Sequence, residues 1–279
     1  MNPSLRIFFT SYLHYTQKVQ KIKHNPFFCR IFWHERVMKM LTRTILCIRR
    51  SEAVAHAAQY LRQLGLTVTE SSGPDVTHLL LPVPSFSQGD TYLAHHLTEL
   101  PDDVIVSGGN LNSPLLEHYR CVDFLQDCWY LAENAAITAE CALALAEKER
   151  PTSCSCPVLI LGWGRIGKCL AQLLRSKGYS VTIAARKMPD LAMIRALGYR
   201  SEAIYEVSDS LRRYRMIFNT VPELILPNAD THSDCIIFEL ASKPGITGGN
   251  IVNARGLPGK MAPERSGKLI AETFIRLSI

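Results

Sequence analysis

The sequence predicts an α/β chain of two domains with parallel sheets, and three observations carry that prediction. Short apolar runs alternate with helix-period segments from residue 44 onward. A turn-forming linker, Pro151-Thr-Ser-Cys-Ser-Cys-Pro157, divides them near the middle. Directly after it, a strand pattern, a glycine-rich turn and a helix pattern follow without a gap.

That third observation is the most specific. Pro157-Val158-Leu159-Ile160-Leu161 is a short apolar run of the kind that forms a strand buried on both faces. Gly162-Trp163-Gly164-Arg165-Ile166-Gly167 then reads G-x-G-x-x-G. Cys169, Leu170, Leu173 and Leu174 recur at helical spacing until Gly178 stops the helix. In such a unit the first glycine makes the tight turn and the second lets backbone approach a pyrophosphate. The third lets helix pack on strand. The helix N-terminus faces the phosphates with free N–H groups and a positive dipole end. The C-terminal half is therefore expected to be a dinucleotide-binding fold of the Rossmann type, with all six turn residues at the cofactor. The alternative is a Rossmann-like domain that holds no nucleotide.

The next strand, Tyr179-Ser180-Val181-Thr182-Ile183-Ala184-Ala185, ends at Arg186 and Lys187. An NAD site usually carries an acid there to accept from the ribose hydroxyls. Here two cations stand in that place, and Asp190 comes too late. Two cations suit a 2′-phosphate, and Arg can stack on adenine. NADP is expected in preference to NAD; the other reading is a solvated basic loop.

The first half shows the same rhythm. Thr44–Arg49 reads as a strand, and Ser51 caps a helix with Val54, Ala58, Leu61 and Leu64 on its apolar face. Thr67–Glu70, His78–Val83, Val104–Ser107 and Tyr119–Phe124 read as four more strands. Its first turn, Ile48-Arg49-Arg50-Ser51-Glu52, has no glycine, so this Rossmann-like layer is assigned to substrate or partner binding. Asn134–Glu149, rich in alanine, is a connecting helix. After the linker and the cofactor turn, strands are expected at Met216–Asn219, Cys235–Glu239 and Ile251–Asn253. A final amphipathic helix is expected over Pro263–Leu277. The expected domains are thus 1–40, a basic leader; 41–150; and 151–279.

With 47% hydrophobic and 20% charged residues, the chain of 279 residues has the composition of a soluble globular protein. No apolar run is long enough to span a membrane. The net charge of +6 suggests nucleic-acid binding until it is located. Residues 1–40 hold seven cations against Glu35 alone, so the remaining 239 residues sum to zero and no nucleic-acid partner is expected. The leader lacks the long apolar core and small-residue cleavage site of a secretory signal. It reads either as a basic interaction arm or as sequence ahead of the true start. The second is preferred, with translation beginning at Met38 or Met40. The nine cysteines are odd in number and scattered, which suits a reducing cytoplasm. Cys154 and Cys156 are the only close pair, with no nearby His cluster, so no metal site is expected.

Three loops after successive strands are the candidates for chemistry. Asn219-Thr220-Val221-Pro222 closes a strand where a parallel sheet presents its ligand crevice, and could border a nicotinamide or be an ordinary turn. In Glu239-Leu240-Ala241-Ser242-Lys243-Pro244-Gly245, Lys243 could hold a substrate carboxylate and Ser242 could donate to it. In Gly256-Leu257-Pro258-Gly259-Lys260, the amide of Gly259 and the Lys260 ammonium could bind a second anion. Ser242, Lys243 and Lys260 are the candidate catalytic residues. After residue 170 the only histidine is His232, in a polar turn, so a His-driven carbonyl/alcohol interconversion is not expected.

Residues 157–279 resemble the cofactor half of the dipicolinate synthase A-chain family. Val158–Gly167, Ala184-Ala-Arg186, Asn219–Pro222, Leu240–Gly245 and Gly256–Pro263 match it in order and interval. In the first half Asn134 and Thr138-Ala139-Glu140 are similar to the family's Asn…Thr-x-Glu pattern, with Ile137 where the family has proline. Ile246 stands where the family has a second glycine. The resemblance implies NADP-linked oxidation of dihydrodipicolinate to dipicolinate in the cytoplasm of the mother cell of a sporulating bacterium. The partner it implies is a flavoprotein-like B subunit, with a homo-oligomer as a further possibility. Thr138, Glu140, Ser242, Lys243, Gly259 and Lys260 are then the candidate substrate contacts. A ring dicarboxylate needs two anion-binding loops, and aromatisation on hydride loss makes an elaborate acid/base apparatus less necessary. The alternatives are another NAD(P)-dependent dehydrogenase, of the hydroxyacid or adenosylhomocysteinase-like type, and a non-catalytic nucleotide-binding subunit.

Overall fold

The structure, a computed structural model, describes residues 43–48, 51–86, 91–149 and 156–279. The basic leader, with its expected start at Met38 or Met40, and linker residues 151–155 lie outside the described residues. The chain divides into two compact units: one runs to Tyr130 and takes in Pro263–Ile279, and the other is Leu131–Ala262.

In the first unit β1 (Thr44–Cys47), α1 (Glu52–Gln63), β2 (Thr67–Thr69) and β3 (His78–Leu80) are followed by α2 (Thr91–Leu97), β4 (Ile105–Gly108) and β5 (Arg120–Asp123). The five strands are all parallel, in the order β2-β1-β3-β4-β5. Ser51 caps α1 as expected, its hydroxyl accepting from the Val54 N–H. The pleat of β1 sends Ile45 and Cys47 to one face, where Val54, Ala57 and Leu61 of α1 cover them. Leu46 and Ile48 go to the other face, with Leu79 and Val106. The strands His78–Leu80 and Thr44–Cys47 end three and two residues earlier than the apolar runs predict. Apolar residues such as Ile48, Leu81 and Val83 lie past the paired ladder yet still pack on the core.

The chain passes into the second unit within α3 (Cys128–Glu149), which begins a turn and a half before its predicted start. Asp127 accepts there from the Tyr130 N–H. β6 (Pro157–Leu161), α4 (Arg165–Ser176), β7 (Ser180–Ala185), α5 (Met188–Ala196) and β8 (Arg200–Ala203) come next. They are followed by a 3-10 helix (Val207–Arg213), β9 (Met216–Asn219), β10 (Ile236–Glu239), β11 (Asn250–Asn253) and α6 (Leu257–Met261). The six parallel strands lie in the order β8-β7-β6-β9-β10-β11, the 3-2-1-4-5-6 order of a doubly wound sheet. The order reverses between β6 and β9, and that switch point is where such a sheet opens a crevice at its carboxyl edge. Among the described residues no helix is long and apolar enough to cross a membrane.

The last helix, α7 (Pro263–Ser278), moves the expected domain boundary. Its amphipathic pattern shows that it must cover a core, not which one. The structure packs it on the first unit: Ile270, Ala271 and Phe274 join the cluster of Ile45 and Leu61. Burying Phe274 fully contributes on the order of 2–3 kcal/mol. Gly267 permits the approach, since a Cβ there would lie 2.5 Å from the Ala53 carbonyl oxygen and 2.6 Å from the His56 Cβ. Arg276 donates to both carboxylate oxygens of Asp127, and these hydrogen bonds hold that carboxyl below the usual range.

His78 lies under the end of this helix. It is fully buried, with Nε2 3.0 Å from the Ser278 carbonyl oxygen, Nδ1 2.9 Å from the Thr77 hydroxyl and the ring edge-on to Phe274. Burial, with Arg43 and Arg120 nearby, pushes its pKa down to about 4. The folded state therefore holds His78 neutral, while the unfolded chain takes up a proton below about pH 6.5. Stability from this group is full above pH 6.5 and is lost as pH falls toward 4, with a slope of at most about 1.4 kcal/mol per pH unit. Urea unfolding of the full chain should show that loss in the native protein. His78→Gln should lack this part of the pH dependence.

Candidate functional site

The glycine turn sits at the switch point, and its three glycines have three different surroundings. Gly162 has φ +103°, donates its N–H to the Ala184 carbonyl at 2.9 Å, and leaves no room for a side chain. A Cβ there would lie 2.5 Å from the Thr220 hydroxyl and 2.9 Å from Val221 Cγ2. Gly167 is closed in the same way: its Cβ would meet the Gly162 carbonyl oxygen at 2.3 Å. Gly164 is the opposite, with no atom within 4 Å of where its Cβ would point. The middle glycine thus faces free space, as backbone does where a ligand must come close.

The electrostatics of α4 agree with an anion at that place. Gly164 caps the helix without a side-chain hydrogen bond, so no side chain satisfies the first-turn amides. There is no acid in the first turn; Arg165 and Lys168 stand near a helix end that disfavours cations unless an anion offsets them. Trp163 rests edge-on to Tyr199, with Lys168 over its ring, and Ile166 is half-buried. An open glycine, uncapped amides and two nearby cations fit the pyrophosphate of a dinucleotide.

Arg186 and Lys187 follow β7, the strand paired to β6, and both are exposed. The Tyr205 hydroxyl donates to the Arg186 carbonyl at 3.0 Å and fixes the loop. The guanidinium of Arg186 lies 3.4 Å from a carboxylate oxygen of Glu223.

The Asn219–Pro222 and Ser242–Gly245 loops are built around one buried carboxylate. Glu239, the last residue of β10, is 3% exposed and Asn219, the last of β9, is fully buried. Glu239 accepts from the Asn219 amide at 2.8 Å, from the Ala241 N–H at 3.3 Å and from the Gly245 N–H at 2.9 Å. Asn219 also accepts from the Val221 N–H and donates to the Val221 carbonyl, which sets the turn. Thr220 donates to the Leu161 carbonyl at 2.8 Å and ties that turn to the end of β6. A Cβ on Gly245 would lie 2.3 Å from the Asn219 amide nitrogen, so only glycine lets the loop close on this pair. Ile246 is buried and bridges Leu226, a role that a glycine could not fill by packing.

This arrangement holds Ser242 and Lys243 exposed beyond β10. Lys260 and Gly259 are exposed after the neighbouring strand β11, on α6 rather than in the plain turn the glycines predicted. On α3, Thr138 is buried and its hydroxyl donates to the Asn134 carbonyl at 2.7 Å, so that proton is engaged within the helix; Glu140 is exposed. The sequence pattern gives Glu239 no role and does not point to Glu223. An acid closing an apolar strand before a small-residue loop is the signal available for Glu239.

No protein-family model matches the chain. Over 131 residues it is 30% identical to the A chain of dipicolinate synthase from Bacillus subtilis (strain 168). The match covers 43% of this chain and spans 44% of that relative's length. The fold is that of two Rossmann-like units. The crystal structure of the dipicolinate synthase A chain from Bacillus halodurans superposes with a TM-score of 0.73 at 23% identity, covering 85% of this chain and 98% of that one. A transhydrogenase from Sinorhizobium meliloti superposes with a TM-score of 0.61 at 12% identity, over 78% of each chain.

Replacing Glu239 tests the loop architecture. Glu239→Ala leaves one N–H of the Asn219 amide and the N–H groups of Ala241 and Gly245 without their acceptor, while the Asn219 bond to the Val221 carbonyl remains, at a cost of about 1–3 kcal/mol for each group left unpaired. Urea unfolding should show that loss, and limited proteolysis should cut faster within 240–246.

Proposed function

We propose that this chain is an NADP-linked oxidoreductase of the dipicolinate synthase A-chain kind, taking dihydrodipicolinate to dipicolinate in company with a flavoprotein-like B subunit. The setting is the cytoplasm of a sporulating mother cell. The observation that carries the reading is the open face of Gly164 at an uncapped, acid-free helix N-terminus, at the switch point of a 3-2-1-4-5-6 sheet. The 30% identity to the Bacillus subtilis chain supports the substrate class.

Gly162–Gly167 and the first turn of α4 would hold the pyrophosphate, with Arg186 and Lys187 at the 2′-phosphate and Asn219–Pro222 beside the nicotinamide. A nicotinamide bound there supplies the hydride acceptor. The ring substrate would give up a hydride to that acceptor and a proton to solvent and become a pyridine, so aromaticity would provide much of the driving force. What remains for the chain is to bind and orient. Lys243, with Ser242 donating, takes one ring carboxylate; Lys260, with the Gly259 amide, takes the other. Thr138 offers an acceptor and Glu140 a carboxylate at the substrate from α3.

Two sets of variants test this. Gly164→Val fills the one open approach, and calorimetry should find NADP binding abolished in a chain whose circular dichroism is unchanged. Lys243→Ala and Lys260→Ala should each lower kcat/KM about tenfold, the equivalent of one charge-assisted hydrogen bond, with cofactor Kd near the native value. The readout is dipicolinate and NADPH absorbance in the presence of the B subunit. A change of less than about twofold in both would remove these lysines from the substrate site.

A further inference from the structure

We infer that Glu223 is a specificity-determining residue that opposes binding of the 2′-phosphate at Arg186, and that the chain's preference between NADP and NAD is set by this pair rather than by Arg186 alone. The inference rests on the cofactor reading above and deepens it.

The strand end after β7 has no acid in sequence, which by itself predicts an unopposed cation for a 2′-phosphate. The fold supplies the acid from elsewhere. Glu223 follows Pro222 in the loop after β9 and lies 3.4 Å from the Arg186 guanidinium, across the switch point. Both side chains are about two-thirds exposed. An exposed pair of this kind is weak and yields to a better ligand, so it does not block the site. It does mean that a phosphate arriving at Arg186 must displace a carboxylate and then sit beside it. A 2′-phosphate carries a charge near −2 at neutral pH, so the neighbour is repelled more strongly than a neutral ribose hydroxyl would be. Toward NAD the same carboxylate is favourable, since it can accept from the ribose hydroxyls as the usual strand-end acid does.

Three large apolar side chains flank the pair in sequence or contact: Met188, two residues after Arg186; Leu224, next to Glu223; and Tyr205, whose hydroxyl holds the Arg186 carbonyl. All three are more than half exposed. Exposed apolar side chains this near the pair in sequence would suit a flat base with a charged ribose substituent.

Calorimetric titration of the full chain with NADP and with NAD tests this, using Glu223→Gln, Arg186→Ala and the double variant. Glu223→Gln keeps the shape and removes the charge; it should tighten NADP about fivefold while leaving NAD unchanged or weaker. In the Arg186→Ala background the gain should shrink, because part of it comes from freeing the guanidinium. Circular dichroism of each variant checks the fold. Equal changes for both cofactors, or no change beyond about twofold, would overturn the inference and leave Glu223 as a solvated partner. A native chain that binds neither cofactor would overturn the cofactor reading itself, and this inference with it.

Discussion

The buried hydrogen bond between Glu239 and Asn219 is the contact on which the carboxyl edge of the second sheet depends. A carboxylate at 3% exposure is costly unless its oxygens are satisfied. Here the donors come from both loops that the edge must organise: the Asn219 side chain, and the Ala241 and Gly245 amides. The carboxylate therefore fixes the path of the Ser-Lys-Pro-Gly loop and the position of the turn after β9. That turn in turn closes over Gly162, where Thr220 and Val221 fill the space a side chain would need. One buried carboxyl group thus shapes both the turn packed on Gly162 and the lysine loop through its hydrogen bonds.

The parts of this arrangement that were legible in the sequence are those with a local steric cause. Gly162 needs a positive φ and close packing, and Gly167 needs contact with a carbonyl; both demands leave glycine as the only residue that fits. The buried strands β6 and β9 needed nothing more than continuous apolar runs. The elements that escape sequence reading lack such a signal. β8 is Arg-Ser-Glu-Ala on the sheet edge, half-buried and without alternation, and α2 is a seven-residue helix with one buried residue. The Arg186–Glu223 pair joins residues 37 apart through the parallel pairing of β6 with both β7 and β9, and no spacing rule reveals it.

The place of the last helix is hidden for a related reason. Its pattern, with Ile270, Ala271, Phe274 and Gly267 on one face, specifies a close helix contact and leaves the partner open. The partners are α1 and the start of β3, and the ties are long in sequence: Tyr60 of α1 to Glu272 spans 212 residues and His78 of β3 to Ser278 spans 200. The second unit is continuous in the chain, while the first is completed only by α7. Closing so long a stretch as a flexible loop would carry a chain-entropy cost that rises with the logarithm of its length. Folding of Leu131–Ala262 into a compact unit replaces that loop by an ordered insert, so the effective closure is shorter than the 200 residues between His78 and Ser278. The core of the first unit at Ile45 and Leu61 is covered by Phe274, so that unit depends on a segment from the far end of the chain. The apolar face of α1 and the glycine of α7 are therefore matched to each other across the whole length of the second unit. The sequence pattern could show each half of that match without showing that they belonged together.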